Sequence, residues 1–231
     1  MNRLILITAL VFVIIAGLAA GWHLRYSIAP QQPPHIQYIS DRMEIRPPGV
    51  IGRSDAPITI RAFLSFSSKD SARFFLETLP ILRRAIVDRG QASIIFHDTP
   101  QDRSALHASV LARCVAASDY SRVAEAIFRN QDAWTSAEDP AVELAQTVME
   151  AGISEKRLAS CLSGAGGVEL VSKLRDEAFE VHRIKTIPSF LISSGNAIFL
   201  LEGTPSAKEF EDAAKRLGNA PGGGSPPIRT P

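Results

Sequence analysis

Hydrophobic and polar positions alternate in different ways along this chain, and each pattern predicts a different element. The first pattern is continuous: "MNRLILITALVFVIIAGLAAGW" is uncharged from Leu4 to Trp22. As a helix this run spans about 28 Å at about 1.5 Å per residue, close to the hydrocarbon thickness of a bilayer. Two readings stand side by side. Ala16, Gly17, Ala19 and Ala20 offer the small residues of a signal-peptide cleavage site. The length of the run, with Trp22 and Tyr26 at its far end, fits a retained signal anchor. Either reading assigns 1–26 to export and delivers the rest of the chain to an oxidising, non-cytoplasmic compartment.

The pattern then lapses. Residues 27–51 contain Pro30, Pro33, Pro34, Pro47 and Pro48 without helical or strand periodicity, which predicts a semi-rigid tether. At the other end 218–231, "GNAPGGGSPPIRTP", is Gly/Pro-rich and predicts a tail without a packed core. A single folded domain is expected between them, over 52–217.

Inside that domain "APITIRAFLSF" (56–66) is dense in β-branched and aromatic residues and reads as a buried strand. Ser67 or Ser68 then caps a helix with Asp70 in its first turn. Phe74, Phe75, Leu79, Leu82 and Ile86 share one face of that helix, which ends at Gly90; Pro80 inside it predicts a kink. "ASIIFHD" (92–98) is a second strand. A helical block follows over about 104–184, with breaks expected near Ser118, Trp134, Gly152 and Gly164. "IPSFLIS" and "AIFLLEG" form a hairpin across Ser194-Gly195-Asn196, and "PSAKEFEDAAKRL" closes as an amphipathic helix capped by Ser206. Strand, helix, strand, helical block, two strands and helix define an α/β protein.

Composition changes this picture little. At 231 residues, 45% hydrophobic and 21% charged, the chain is an ordinary globular one. Its net charge of +1 gives no basis for a nucleic-acid partner. No motif calls for a metal, nucleotide or organic cofactor. The only cysteines are Cys114 and Cys161, too far apart for a CxxC motif. In an exported protein an even count reads as a structural disulfide, with free buried thiols and a redox-switching pair as alternatives.

Seven segments, in order, resemble the DsbA-like branch of the thioredoxin superfamily, periplasmic disulfide oxidoreductases with a helical insertion. They are "GRSDAPITI", "FLSFSSKDSARFF", "FHDTP", "HASVLARCVAA", "AIFRNQDAW", "RLASCL" and "IKTIPSFLI". The resemblance covers nearly all of 52–217 and implies a thioredoxin-like fold, a paired Cys114 and Cys161, and a cis-proline at Pro188. It also implies that the family's redox-active Cys-x-x-Cys falls on Ser68-Lys69-Asp70-Ser71. Thiol–disulfide exchange needs a thiolate with a lowered pKa that attacks a substrate disulfide, and a second thiol that resolves the mixed disulfide. Hydroxyls at Ser68 and Ser71 have no such two-electron couple. Ala62 stands where many members have a buried acid, Ser65 where an Asp is common, and Lys69 where Pro is usual.

The expected function is therefore a non-catalytic, membrane-tethered binding module of the periplasm. Its partner would be an exported polypeptide or a membrane or envelope protein, held as a chaperone or as an accessory subunit. The candidate peptide-binding positions are Ser68, Ile187 and Pro188, because the family presents the residue before the cis-proline to an extended substrate. The alternative is an oxidoreductase acting through Cys114 and Cys161. A Ser/Lys hydrolase built on Ser68-Lys69, with His97, His107 or His182 as base, lacks a nucleophile-elbow motif. Helix capping by Ser67 or Ser68 is the simpler reading.

Overall fold

The computed structural model describes residues 49–164 and 166–218. The expected signal or anchor helix (1–26), the tether up to residue 48 and the tail from 219 onward lie outside the described residues. Among the described residues no helix is long and apolar enough to cross a membrane.

The chain builds a five-stranded sheet in the order β1-β3-β2-β4-β5. The strands are β1 (Val50–Ile51), β2 (Ile58–Leu64), β3 (Ala92–Asp98), β4 (Ser189–Ser194) and β5 (Ala197–Glu202). β2 and β3 run parallel, while β1–β3, β2–β4 and β4–β5 are antiparallel. β1 corrects the expected extent of the tether, because its last two residues, Val50 and Ile51, pair with Ile95 and Ile94. Gly52 follows with a φ of 93°, and a Cβ there would lie 2.8 Å from the carbonyl oxygen of Ala92. Only glycine turns the chain away from the sheet at that distance.

A parallel pair needs a crossover, and the apolar face predicted for 74–86 supplies it. The crossover starts as α1 (Lys69–Arg73), widens into a π-helical segment (Phe74–Thr78), narrows as α2 (Leu79–Leu82) and widens again (Arg83–Val87). The irregularity expected at Pro80 thus takes the form of two wide turns. Proline has no N–H and crowds the carbonyl four residues earlier. The Leu79 N–H reaches back to the Phe74 carbonyl, five residues away, immediately before Pro80. Phe74, Phe75, Leu79, Leu82 and Ile86 are all buried, as their spacing required.

This crossover and the closing helix cover one sheet face. Phe74 packs on Phe190 of β4 at 4.4 Å between ring centroids, and Phe210 meets Phe190 at 4.9 Å. Each such buried ring is worth about 1.5–3 kcal/mol. Ile60, Ala62, Ile94, Phe96 and Ile192 complete that side of the core.

Between β3 and β4 lies the helical insertion: α3 (Arg103–Ala112), a 3-10 turn (Ala117–Asp119), α4 (Tyr120–Arg129), α5 (Gln131–Ser136), α6 (Pro140–Glu150), α7 (Glu155–Leu162) and α8 (Gly166–Glu180). Breaks fall near Ser118, Gly152 and Gly164 as expected. The break expected at Trp134 is instead displaced to either side of it. Trp134 sits inside α5, wholly buried, with its indole N–H donating to the Ile127 carbonyl at 2.9 Å. Cys114 and Cys161 are joined by a disulfide that ties the end of α3 to α7.

α8 packs on the second sheet face, where Phe63 contacts Ala178 and Ile184. The β4–β5 hairpin turns through Gly195-Asn196, Gly195 taking a φ of 57°. The last helix, α9 (Ala207–Gly218), begins with a reciprocal cap. Ser206 Oγ accepts from the Glu209 N–H at 3.4 Å, and Glu209 Oε2 accepts from the Ser206 N–H at 2.8 Å.

Candidate functional site

β2 ends at Leu64 beside the start of β4, since Phe63 pairs with Ser189. The antiparallel pairing therefore brings the Ser65–Ser71 loop and the Ile187–Pro188 turn to the same end of the sheet. The sequence-predicted site residues thus share one region of the fold.

Ser68 is the N-cap of α1. Its extended backbone (φ −80°, ψ 121°) turns the side chain onto the helix, and Oγ accepts from the Ser71 N–H at 3.2 Å. Ser71 is fully buried, and its Oγ accepts from the Ser65 N–H at 3.3 Å. Ser65 Oγ in turn lies 3.2 Å from Ser67 Oγ and accepts from the Gln101 N–H at 3.3 Å. The serines are thus bonded into the loop rather than aimed at a shared reactant. Lys69 is paired with Asp132 at the surface, and Asp70 with Arg73. Neither Ser68 nor Ser71 is hydrogen-bonded to a histidine among the described residues. His97 is buried on β3, His107 half-buried on α3 and His182 half-buried after α8. A nucleophile with an aligned base is not assembled here.

The loop is also clamped from the insertion, a feature that sequence reasoning missed. Gln131 of α5, itself buried, donates through Nε2 to the carbonyls of Phe66 at 2.6 Å and Ser68 at 3.0 Å. Little in the sequence signals this clamp, because Gln131 stands in the polar stretch Arg129-Asn130-Gln131-Asp132 between α4 and α5.

The Ile187–Pro188 peptide bond is cis. Pro188 is buried, and its carbonyl accepts from the Gly203 N–H at 2.9 Å. The Thr186 carbonyl accepts from Ser189 Oγ, and the Thr186 hydroxyl donates to Glu202, both at 2.7 Å. Among the described residues no hydrogen bond engages the backbone N–H or C=O of Ile187. Its half-buried side chain packs with Leu191 on Phe63, Ala178 and Ile184.

Behind the site lies a buried charge network. Asp98, closing β3, pairs with Arg113 after α3 and accepts from the Tyr120 hydroxyl at 2.8 Å. Burial pushes the Tyr120 phenol well above its ordinary pKa, and the Asp98 charge adds to this. Burial opposes the Arg113 charge, but the attraction of Asp98 and Tyr120 and the hydrogen bond to Asp98 together outweigh it, and the guanidinium ends above its ordinary value. Asp98 stands in the "FHDTP" segment, but its partners lie 15 and 22 positions further along the chain, where no local pattern marks them.

Cys114 and Cys161 are buried in the insertion, and the Cys114 carbonyl accepts from Arg157 Nε at 2.6 Å. Among the described residues no cluster of three His, Cys, Asp or Glu side chains is arranged to hold a metal.

A sheet with this order, a crossover helix opening beside a cis-proline and helices inserted between β3 and β4 define a thioredoxin-like fold with a helical insertion. The family model described as Thioredoxin matches residues 46–213, and the chain belongs to that family. Among solved structures it is similar to alpha-DsbA1 of Wolbachia pipientis, with 19% identity over 74% of this chain and 90% of that one at a TM-score of 0.68. DsbA of Chlamydia trachomatis shares 21% identity over 75% and 93% of the two chains, at a TM-score of 0.65. DsbA2 of Pseudomonas aeruginosa shares 16% over 76% and 97%, at 0.59. These identities speak for the fold. No curated protein matches the chain.

Proposed function

We propose that this protein is a DsbA-like thioredoxin-fold module in which the redox-active cysteine pair has given way to Ser68 and Ser71. It binds extended polypeptide or a partner protein without catalysing thiol–disulfide exchange. The carrying observation is Ile187. The carbonyls on either side of it are bonded within the fold, whereas its own N–H and C=O have no bond among the described residues. A passing extended peptide can pair with that free amide and carbonyl, and Ile187 and Leu191 offer it an apolar neighbour. The absence of exchange chemistry rests on the two hydroxyls, both spent on capping and on the loop. Cys114 and Cys161 act as a staple in this reading, since neither sulfur is exposed to a substrate.

In this reading the domain works in the periplasm, tethered by the N-terminal helix or released after cleavage. Its partner is an exported polypeptide or an envelope protein. Two assays test the proposal together. Alkylation of the native, unreduced protein should label neither cysteine, and catalysed reduction of a disulfide substrate should stay at the uncatalysed rate. Quantitative co-purification from gently solubilised membranes should recover partners. Exchange activity that is lost with Cys114→Ala would replace the proposal with the oxidoreductase alternative.

A further inference from the structure

His97 and the end of α8 form a second group of interacting residues. The imidazole Nε2 lies 2.7 Å from the Leu174 carbonyl of α8, so Nε2 carries the proton and donates. Nδ1 is then the unprotonated nitrogen, and it is buried without a partner. The ring packs on Phe63 at 4.7 Å between centroids, and Phe63 in turn meets the His182 ring at 5.3 Å. Protonating Nδ1 would place a charged, unsatisfied N–H in this apolar contact. The charged and titratable groups around His97 are Arg61 on β2, Asp98 on β3, Glu177 on α8 and His182 after α8, whose ring lies edge-on at 6.0 Å between centroids. His182 is held by Glu177 at 3.3 Å. Asp98 is already engaged by Arg113 and Tyr120, and Arg61 opposes a second positive charge.

The same end of α8 has a strained cap. The Ile184 N–H bonds the Ala178 carbonyl at 3.0 Å, six residues back, with Arg183 between them at a φ of 56°. Glycine normally fills this left-handed position, because a side chain there crowds the backbone.

We propose that acidification, sensed at His97, loosens the C-terminal half of α8 from the sheet and uncovers Phe63, Ala178 and Ile184 next to Ile187, enlarging the peptide-binding face. This rests on the binding reading above and adds its regulation. Burial holds the His97 pKa below its ordinary value, with the Leu174 carbonyl and Glu177 only partly offsetting it. The closed form therefore takes up fewer protons than the open form, so closure is complete above about pH 6.5 and weakens as pH falls below it. At pH 5 an open imidazole of ordinary pKa is about thirtyfold more protonated than neutral, which bounds the gain in opening at about thirtyfold.

The test is hydrogen exchange of the full chain at pH 7.5 and pH 5, corrected for intrinsic rates, with binding of a carboxymethylated, permanently unfolded polypeptide at both pH values. Peptides spanning 174–187 should exchange about five- to thirtyfold faster at pH 5, and the apparent affinity should rise by a similar factor. His97→Gln, which retains an amide donor for Leu174 and does not titrate, should abolish both responses; His182→Gln should leave them. An identical response in wild type and His97→Gln overturns the proposal, and so does equal binding at both pH values. Binding at neither pH removes the binding reading itself. Should His97→Gln fail to fold, the wild-type exchange profile still decides, because uniform acceleration outside 174–187 also overturns the proposal.

Discussion

Arg113→Met gives the sharpest test of how this domain is held together. The Arg113 and Asp98 side chains are each 3% exposed, so the variant keeps the packing volume but strands a carboxylate in the interior. Only the Tyr120 hydroxyl then remains on Asp98, and the bond from Arg113 to the Phe96 carbonyl is lost as well. Breaking one partner out of such a pair costs about 3–5 kcal/mol. Tyr120→Phe removes a single hydrogen bond to a charged acceptor and should cost about 1.5–3 kcal/mol. Asp98→Leu combined with Arg113→Met removes both ions and their desolvation cost together. The double variant should therefore fall short of the summed single losses by about 1–3 kcal/mol. Urea denaturation followed by circular dichroism at pH 7.5 measures all of these. With a slope of about 1–3 kcal/mol per molar, the Arg113→Met midpoint should drop by about 1–5 M. An Arg113→Met loss below about 1 kcal/mol, or strict additivity in the double variant, would refute the reasoning.

Three further outcomes follow from the same geometry. Replacing Cys114 and Cys161 by Ala opens a loop of 47 residues and should cost about 4 kcal/mol in the chain-entropy model, read as a lower urea midpoint than the oxidised wild type. Arg183→Gly relieves the left-handed cap of α8 and should stabilise by about 0.5–1 kcal/mol in the same assay, whereas destabilisation would contradict the strain. Gln131→Leu leaves the Phe66 and Ser68 carbonyls without their amide donor. It should cost about 1–3 kcal/mol and accelerate hydrogen exchange in the 65–71 loop.

Local signals made much of this molecule legible before its structure. Ile58–Leu64 and Ala92–Asp98 announced themselves as strands through β-branched and aromatic density, and Phe74 to Ile86 marked a buried helical face. The Ser68 cap was readable because a hydroxyl stood at the junction of strand and helix. What escaped was set by distant partners. β1 has only two residues, and no periodicity shows in so short a strand until Ile94 and Ile95 pair with it. Trp134 was legible as a core anchor of the insertion, but the breaks fall on either side of it, at Asn130 and Ala137. The Asp98 network joins residues from β3, the end of α3 and the start of α4, and Gln131 reaches back 65 positions to Phe66. The shared region of Ser68 and Pro188 was available through the family resemblance. The unbonded backbone of Ile187 emerged only from the folded chain.

In the proposed function Ile187 forms part of a peptide platform in a domain without exchange chemistry. Fluorescence anisotropy with a labelled, carboxymethylated unfolded polypeptide tests it most directly, comparing wild type with Ile187→Asp and Ser68→Ala. Wild-type binding should be saturable, at least about tenfold weaker with a carboxylate at 187, about 1.4 kcal/mol, and little changed in Ser68→Ala. No binding by the wild type, or equal binding by Ile187→Asp with the fold intact by circular dichroism, would contradict it.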